Sequence, residues 1–126
     1  MAQILVVEDD HDLNTAYRII LEHEKHVVET AYNGEEGLKK LKDFTPDLIV
    51  LDLLMPVMSG IDFLNEFRNM TSHAKVLVFT NLENSKEINE AFRLGADKCV
   101  VKAWTGPQGL LKVVNNILGT PATAKK

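Results

Sequence analysis

A chain of 126 residues, 45% of them hydrophobic, has the length of one ordinary domain and enough apolar material for a single core. A net charge of -4, with Lys and Arg scattered apart from the terminal Lys125-Lys126, excludes the basic footprint of a nucleic-acid-binding protein. A lone cysteine, Cys99, excludes an internal disulfide and a CxxC metal site, and without a signal peptide or a membrane-length apolar run the expected location is the cytoplasm.

Apolar stretches of strand length alternate with stretches of helical period, which predicts βα units wound around a parallel sheet. The first strand is read over Ile4 to Val7. The helix after it places Leu13, Ala16, Tyr17, Ile20 and Leu21 on one face, with Asp10 or Asp12 as its cap. His26 to Ala31 reads as a weaker second strand, and Asn33 with Glu36 as a capping box for a short helix through Leu38 and Leu41. The third strand spans Asp47 to Leu51, after which Ser59-Gly60 precedes a helix directing Ile61, Leu64 and Phe67 inward. Lys75 to Phe79 is the fourth strand, followed by a helix capped by Asn84 or Ser85 and ended by Gly95 in a left-handed conformation. Cys99 to Val101 is the fifth strand, and Pro107 starts a last helix that Gly119 and Pro121 stop. The expected domain spans residues 1–119, and the tail 120–126, with little to bury, is expected to be disordered.

Four of the five strands end in polar residues: Glu8-Asp9-Asp10 after the first, Asp52 after the third, Thr80 after the fourth and Lys102 after the fifth. Strand ends in a parallel sheet share one edge, where ligands bind, so these side chains are expected to converge. Singly, each has a plainer reading as a helix start, a turn residue or a surface lysine. Together they point to chemistry. Three carboxylates in one crevice raise one another's pKa values unless a cation lies among them, and an all-oxygen donor set suits magnesium. A carboxylate beside such a metal can attack phosphorus, with the Lys102 ammonium and the Thr80 hydroxyl meeting the phosphoryl oxygens.

The segments Leu5-Val6-Val7-Glu8-Asp9-Asp10, Pro46 through Asp52 to Gly60, Val78-Phe79-Thr80, Gly95-Ala96-Asp97 and Lys102 together resemble a response-regulator receiver domain of bacterial two-component signalling. The resemblance runs from about residue 3 to residue 118. It implies a flavodoxin-like doubly wound α/β fold with five parallel strands and five helices. It also implies that Asp52 takes a phosphoryl group from a sensor histidine kinase or phosphotransfer protein, or from small donors such as acetyl phosphate. Mg2+ would be held by Glu8, Asp9, Asp52 and the Leu54 backbone carbonyl, with Thr80 and Lys102 completing the site. Asp10 is then the outsider of the acidic triplet and a helix-start residue.

Three positions depart from the family pattern. Cys99 stands where such receivers usually carry an aromatic ring that turns inward with the threonine, and reads as a small buried hydrophobe rather than a redox sensor. Ala103 replaces a proline usually joined to the lysine by a cis bond. A non-proline cis bond costs about 3–4 kcal/mol, so either this bond is trans with Lys102 aimed differently, or the fold enforces strain. Trp104 beside it reads as a partly buried packing residue. Asn81 is larger than the small residue common after the threonine, and with Leu54 and Leu82 it is expected to hinder water at the acceptor and slow loss of the phosphoryl group.

The resulting expectation is a single-domain switch, not an enzyme acting on another substrate. Its output is a changed surface at the fourth helix, fifth strand and last helix, meeting an unidentified protein rather than nucleic acid or membrane. The last helix offers Lys112, Asn115 and Asn116 there, which disfavours a dimer built on opposite charges. The alternatives are a constitutive protein-binding module of the same fold, favoured by Cys99 and Ala103, and a phosphohydrolase. The latter is disfavoured because its class places two aspartates in one short motif after the first strand.

Overall fold

A computed structural model describes residues 2–81 and 85–119, excepting the side chains of Trp104 and Pro107. The sequence-based readings of Leu82, Asn84, Pro121, the tail 120–126 and the Trp104 side chain therefore lie outside the described residues. The chain runs β1 (Gln3–Val7), α1 (His11–His23), β2 (Val27–Ala31), α2 (Gly34–Lys40), β3 (Leu48–Leu51), α3 (Gly60–Phe67), β4 (Lys75–Thr80), α4 (Ser85–Arg93), β5 (Lys98–Val101) and α5 (Lys102–Leu118). All strand pairs are parallel, in the order β2-β1-β3-β4-β5, which is the expected doubly wound sheet.

The two-residue period of a strand explains how three short apolar runs serve both faces. Leu5, Val7, Ile49, Leu51, Val76 and Val78 face one cluster, closed by Phe63, Leu64 and Phe67 of α3 and Ala91 of α4. Ile4, Val6, Leu48, Val50, Leu77 and Phe79 face the other, closed by Tyr17 and Leu21 of α1 and Leu110 and Val114 of α5. β2 and β5 form the sheet edges and are less deeply covered, as the weaker apolar signal of β2 suggests.

Helix starts follow local capping chemistry. The carboxylate of Asp10, not that of Asp12, accepts the Leu13 N–H at 3.1 Å, so the outsider of the acidic triplet is the cap of α1. Asn33 accepts the Glu36 N–H at 2.9 Å, but the Glu36 side chain returns to the N–H of Tyr32 (2.8 Å) rather than to that of Asn33. Ser59 caps α3 through the Asp62 N–H. Ser85 is the first residue of α4. Gly95 follows that helix with φ 114°, and Gly119 ends α5 with φ 62°.

The start of α5 differs from expectation. The helix begins at Lys102 rather than Pro107, and its first turn is set off by a non-helical Gly106 at φ 69° and ψ 172°. The β5 end therefore leads straight into helical backbone, and Lys102 is its first residue.

Candidate functional site

Strand register decides which polar residues meet. β1 and β3 pair Val7 with Leu51, and β4 and β5 pair Thr80 with Val101, so Glu8, Asp52, Thr80 and Lys102 emerge at one edge. Glu8, Asp52 and Thr80 are buried there, and Asp9 is half-buried beside them.

The Lys102 ammonium donates to Asp52 Oδ2 at 2.9 Å and also to Glu8 Oε1. Glu8 Oε2 accepts the Asp10 N–H at 3.0 Å, and Asp52 Oδ1 accepts the Leu54 N–H at 3.3 Å. Burial dominates the Glu8 carboxyl, pushing it up to about 7 against the downward pull of Lys102 and the Asp10 N–H. Burial also opposes the Lys102 charge, but its bonds to Asp52 and Glu8 outweigh that and hold the ammonium above its ordinary value.

Glu8, Asp9 and Asp52 each offer a carboxylate oxygen, and these oxygens lie within 4.8 Å of one another. With all three ionised, Lys102 offsets one charge of three and leaves two, the deficit that a divalent cation fills. Hard oxygen donors at such spacing suit Mg2+.

The loop after Asp52 is held close by Gly60. Its N–H donates to the Leu53 carbonyl at 2.9 Å, and an added Cβ would lie 2.6 Å from Leu53 Cα and against the Asp52 carbonyl. Glycine therefore lets the N-terminus of α3 press on the backbone that presents Asp52.

Asn14 was not singled out by the sequence reading. Its buried amide donates to the carbonyls of Glu8 and Ala31, both at 3.0 Å, and so fixes the strand end that carries the acids. A polar residue three and seven positions before Tyr17 and Leu21, on the inward face of α1, was the available signal. Asp97 and Asp47 were also passed over as chemistry. Asp97 accepts the Val76 N–H at 2.7 Å and Asp47 the Gln3 N–H at 2.8 Å, pinning strand starts at the opposite edge.

Cys99 is half-buried against the α4 side of the core, and burial pushes its thiol up to about 11, which fits a small hydrophobe and an unreactive thiol. No cis peptide bond occurs among the described residues, yet the trans Lys102-Ala103 bond still directs Lys102 to Asp52. The expected linkage between a trans bond and a differently aimed lysine therefore does not hold. Leu54 is 67% exposed, while Asp52 beside it is buried.

The family model for the response regulator receiver domain matches residues 4–115. The chain belongs to this family. It is 28% identical to the chemotaxis protein CheY of Halobacterium salinarum over 92% of this chain and 96% of that protein. It is 31% identical to protein CcdB of Bacillus subtilis over 94% and 99%, respectively. With the transcriptional regulatory protein AfsQ1 of Streptomyces coelicolor it shares 35% identity, over 84% of this chain but only 47% of AfsQ1. Among solved structures, a CheY-like receiver domain from Methanospirillum hungatei superposes with a TM-score of 0.88 at 27% identity, covering 94% of each chain. TrrA of Thermotoga maritima, solved in complex with Mg2+-BeF, gives 0.77 at 32% identity, covering 91% of this chain and 98% of that one. Receiver domains are signalling switches of two-component systems that bind Mg2+ at an acidic pocket and interact with histidine kinases or phosphotransfer proteins. No helix among the described residues is long and apolar enough to cross a membrane.

Proposed function

We propose that this receiver domain, residues 1–119, is a stand-alone cytoplasmic switch that accepts a phosphoryl group on Asp52. The observation that carries the reading is the single ammonium of Lys102 bonded to both Asp52 and Glu8, beside three carboxylates close enough to share a divalent cation. The near-complete match to CheY and CcdB supports the stand-alone part.

An Asp52 carboxylate oxygen attacks the phosphorus of a phosphohistidine or of acetyl phosphate. The bond from phosphorus to the donor nitrogen or oxygen breaks, and an acyl phosphate remains on Asp52. Lys102 moves its hydrogen bonds to the transferred oxygens, and Thr80 donates its hydroxyl to them. Mg2+ would be held by Glu8, Asp9, Asp52 and the Leu54 carbonyl and would supply charge neutralisation for the phosphoryl oxygens. Water attack on the acyl phosphate reverses the state, so the chain turns over only its own modification. The altered Thr80 end of β4 then biases the surface of α4, β5 and α5 toward a downstream protein. With Cys99 in the aromatic position, side-chain volume there is too small to report the change by filling a pocket.

Incubation with acetyl phosphate and Mg2+, followed by intact mass, tests this. The parent gains one phosphoryl mass and Asp52→Asn gains none. No gain in either favours the constitutive binding module, and rapid multiple-turnover phosphate release favours a hydrolase.

A further inference from the structure

The turn that carries Lys102 has an unusual attachment. Val101 occupies its N-cap position and makes no side-chain cap bond, while Gly106 breaks the helix one turn later. The longer part of α5, anchored in the core by Leu110 and Val114, is thereby set off from the turn at the site. Helix starts expose N–H groups that need partners from elsewhere. Thr105 Oγ1 donates locally to the Val101 carbonyl at 3.2 Å. A longer-range tie of its backbone comes from the end of β4: Asn81, next to Thr80, accepts the Ala103 N–H through Oδ1 at 2.8 Å.

This bond joins two of the residues that depart from the family pattern. Proline at position 103 would have no N–H to donate, and a small apolar residue at 81 would have no acceptor. Asn81 and Ala103 are acceptor and donor of one contact, spanning 22 residues, that stands in for a helix cap.

Resting on the reading of Asp52 as phosphoryl acceptor, we infer that Asn81 is a positioning residue: its carboxamide latches the first turn of α5 to the end of β4 and so aims the Lys102 ammonium at Asp52. The latch also ties Lys102 to the residue beside Thr80, so the two groups meant for the phosphoryl oxygens are held in register.

Two arms test this on the full chain. In the first, without any phosphoryl donor, NMR follows the Ala103 amide and the Lys102 Cε and Hε resonances. The Ala103 amide is protected from exchange in the parent and loses about tenfold protection in Asn81→Ala, with the Lys102 resonances displaced. Asn81→Asp, which keeps an acceptor, restores both. In the second arm, phosphorylation by acetyl phosphate at saturating Mg2+ slows about tenfold in Asn81→Ala and returns to within about threefold of the parent in Asn81→Asp. Equal Ala103 protection in parent and Asn81→Ala, or unmoved Lys102 resonances, overturns the latch. Moved resonances with an unchanged phosphorylation rate overturn its role in positioning. A parent that takes up no phosphoryl group refutes the reading of Asp52 instead, and the first arm still decides the latch.

Discussion

Lys102 donates to Asp52 Oδ2 at 2.9 Å across 50 residues of sequence, and its side chain is only 9% exposed. On the proposed function, a cation so placed would both compete with a metal ion for the acids and serve the phosphoryl oxygens. Lys102→Met is therefore expected to change two measurements in opposite directions. Mg2+ affinity rises about tenfold, because a positive charge near the metal is gone. The acetyl phosphate reaction slows about a hundredfold, because a preorganised charge is lost. Calorimetric Mg2+ titration and a phosphorylation time course check the pair, and weaker Mg2+ binding in the variant would contradict the competition.

Val57 has φ 66° and is 78% exposed, a left-handed backbone at a β-branched residue with little side-chain burial in return. The Met58 N–H donates to the Pro56 carbonyl at 2.7 Å around it, forming a tight turn in the loop after Asp52. Left-handed backbone costs an L-residue about 1–2 kcal/mol, and glycine returns about 0.4–1 kcal/mol of that as entropy of the unfolded chain. Val57→Gly is expected to stabilise the protein by about 0.5–1 kcal/mol, a rise of a few degrees in Tm by calorimetry. A lower Tm would show that the Val57 side chain makes a compensating contact.

His26 is half-buried, and its Nδ1 accepts the Ala2 N–H at 3.0 Å, which only the neutral ring can do. Burial holds its pKa below the ordinary 6.5. Below pH 6.5 the unfolded chain binds more protons at this site than the native one. The stabilisation is full above 6.5 and is lost as pH falls through the lowered native value. Urea unfolding at pH 7 and pH 5 is expected to show a smaller acid-induced loss for His26→Gln than for the parent. Equal losses would show that His26 does not contribute to the acid sensitivity of the fold.

Much of this architecture was legible in the sequence because strand and helix periods differ. The runs at Ile4 to Val7 and Leu48 to Leu51 could be buried on both faces only in a covered parallel sheet. Alignment of strand ends is what brings Glu8, Asp52, Thr80 and Lys102 to one edge. What escaped reading depended on contacts between distant segments. Pro107 marked a helix start, but helical backbone begins at Lys102, where the Ala103 N–H finds its partner in Asn81, just past the end of β4. Asn14 was hidden for the same reason, since its partners are backbone carbonyls that carry no side-chain signature. The trans Lys102-Ala103 bond did not misdirect the ammonium, because the helical turn, rather than the peptide isomer alone, sets the direction of the side chain.

Asp52 is the residue proposed to carry the phosphoryl group. Borohydride reduces an acyl phosphate to the alcohol, so treatment of acetyl phosphate-reacted protein converts a phosphorylated aspartate to homoserine. Peptide mass mapping is predicted to find homoserine at position 52 and unchanged residues at Glu8, Asp9 and Asp10. An unreduced Asp52, or homoserine at another aspartate, would rule out Asp52 as the acceptor.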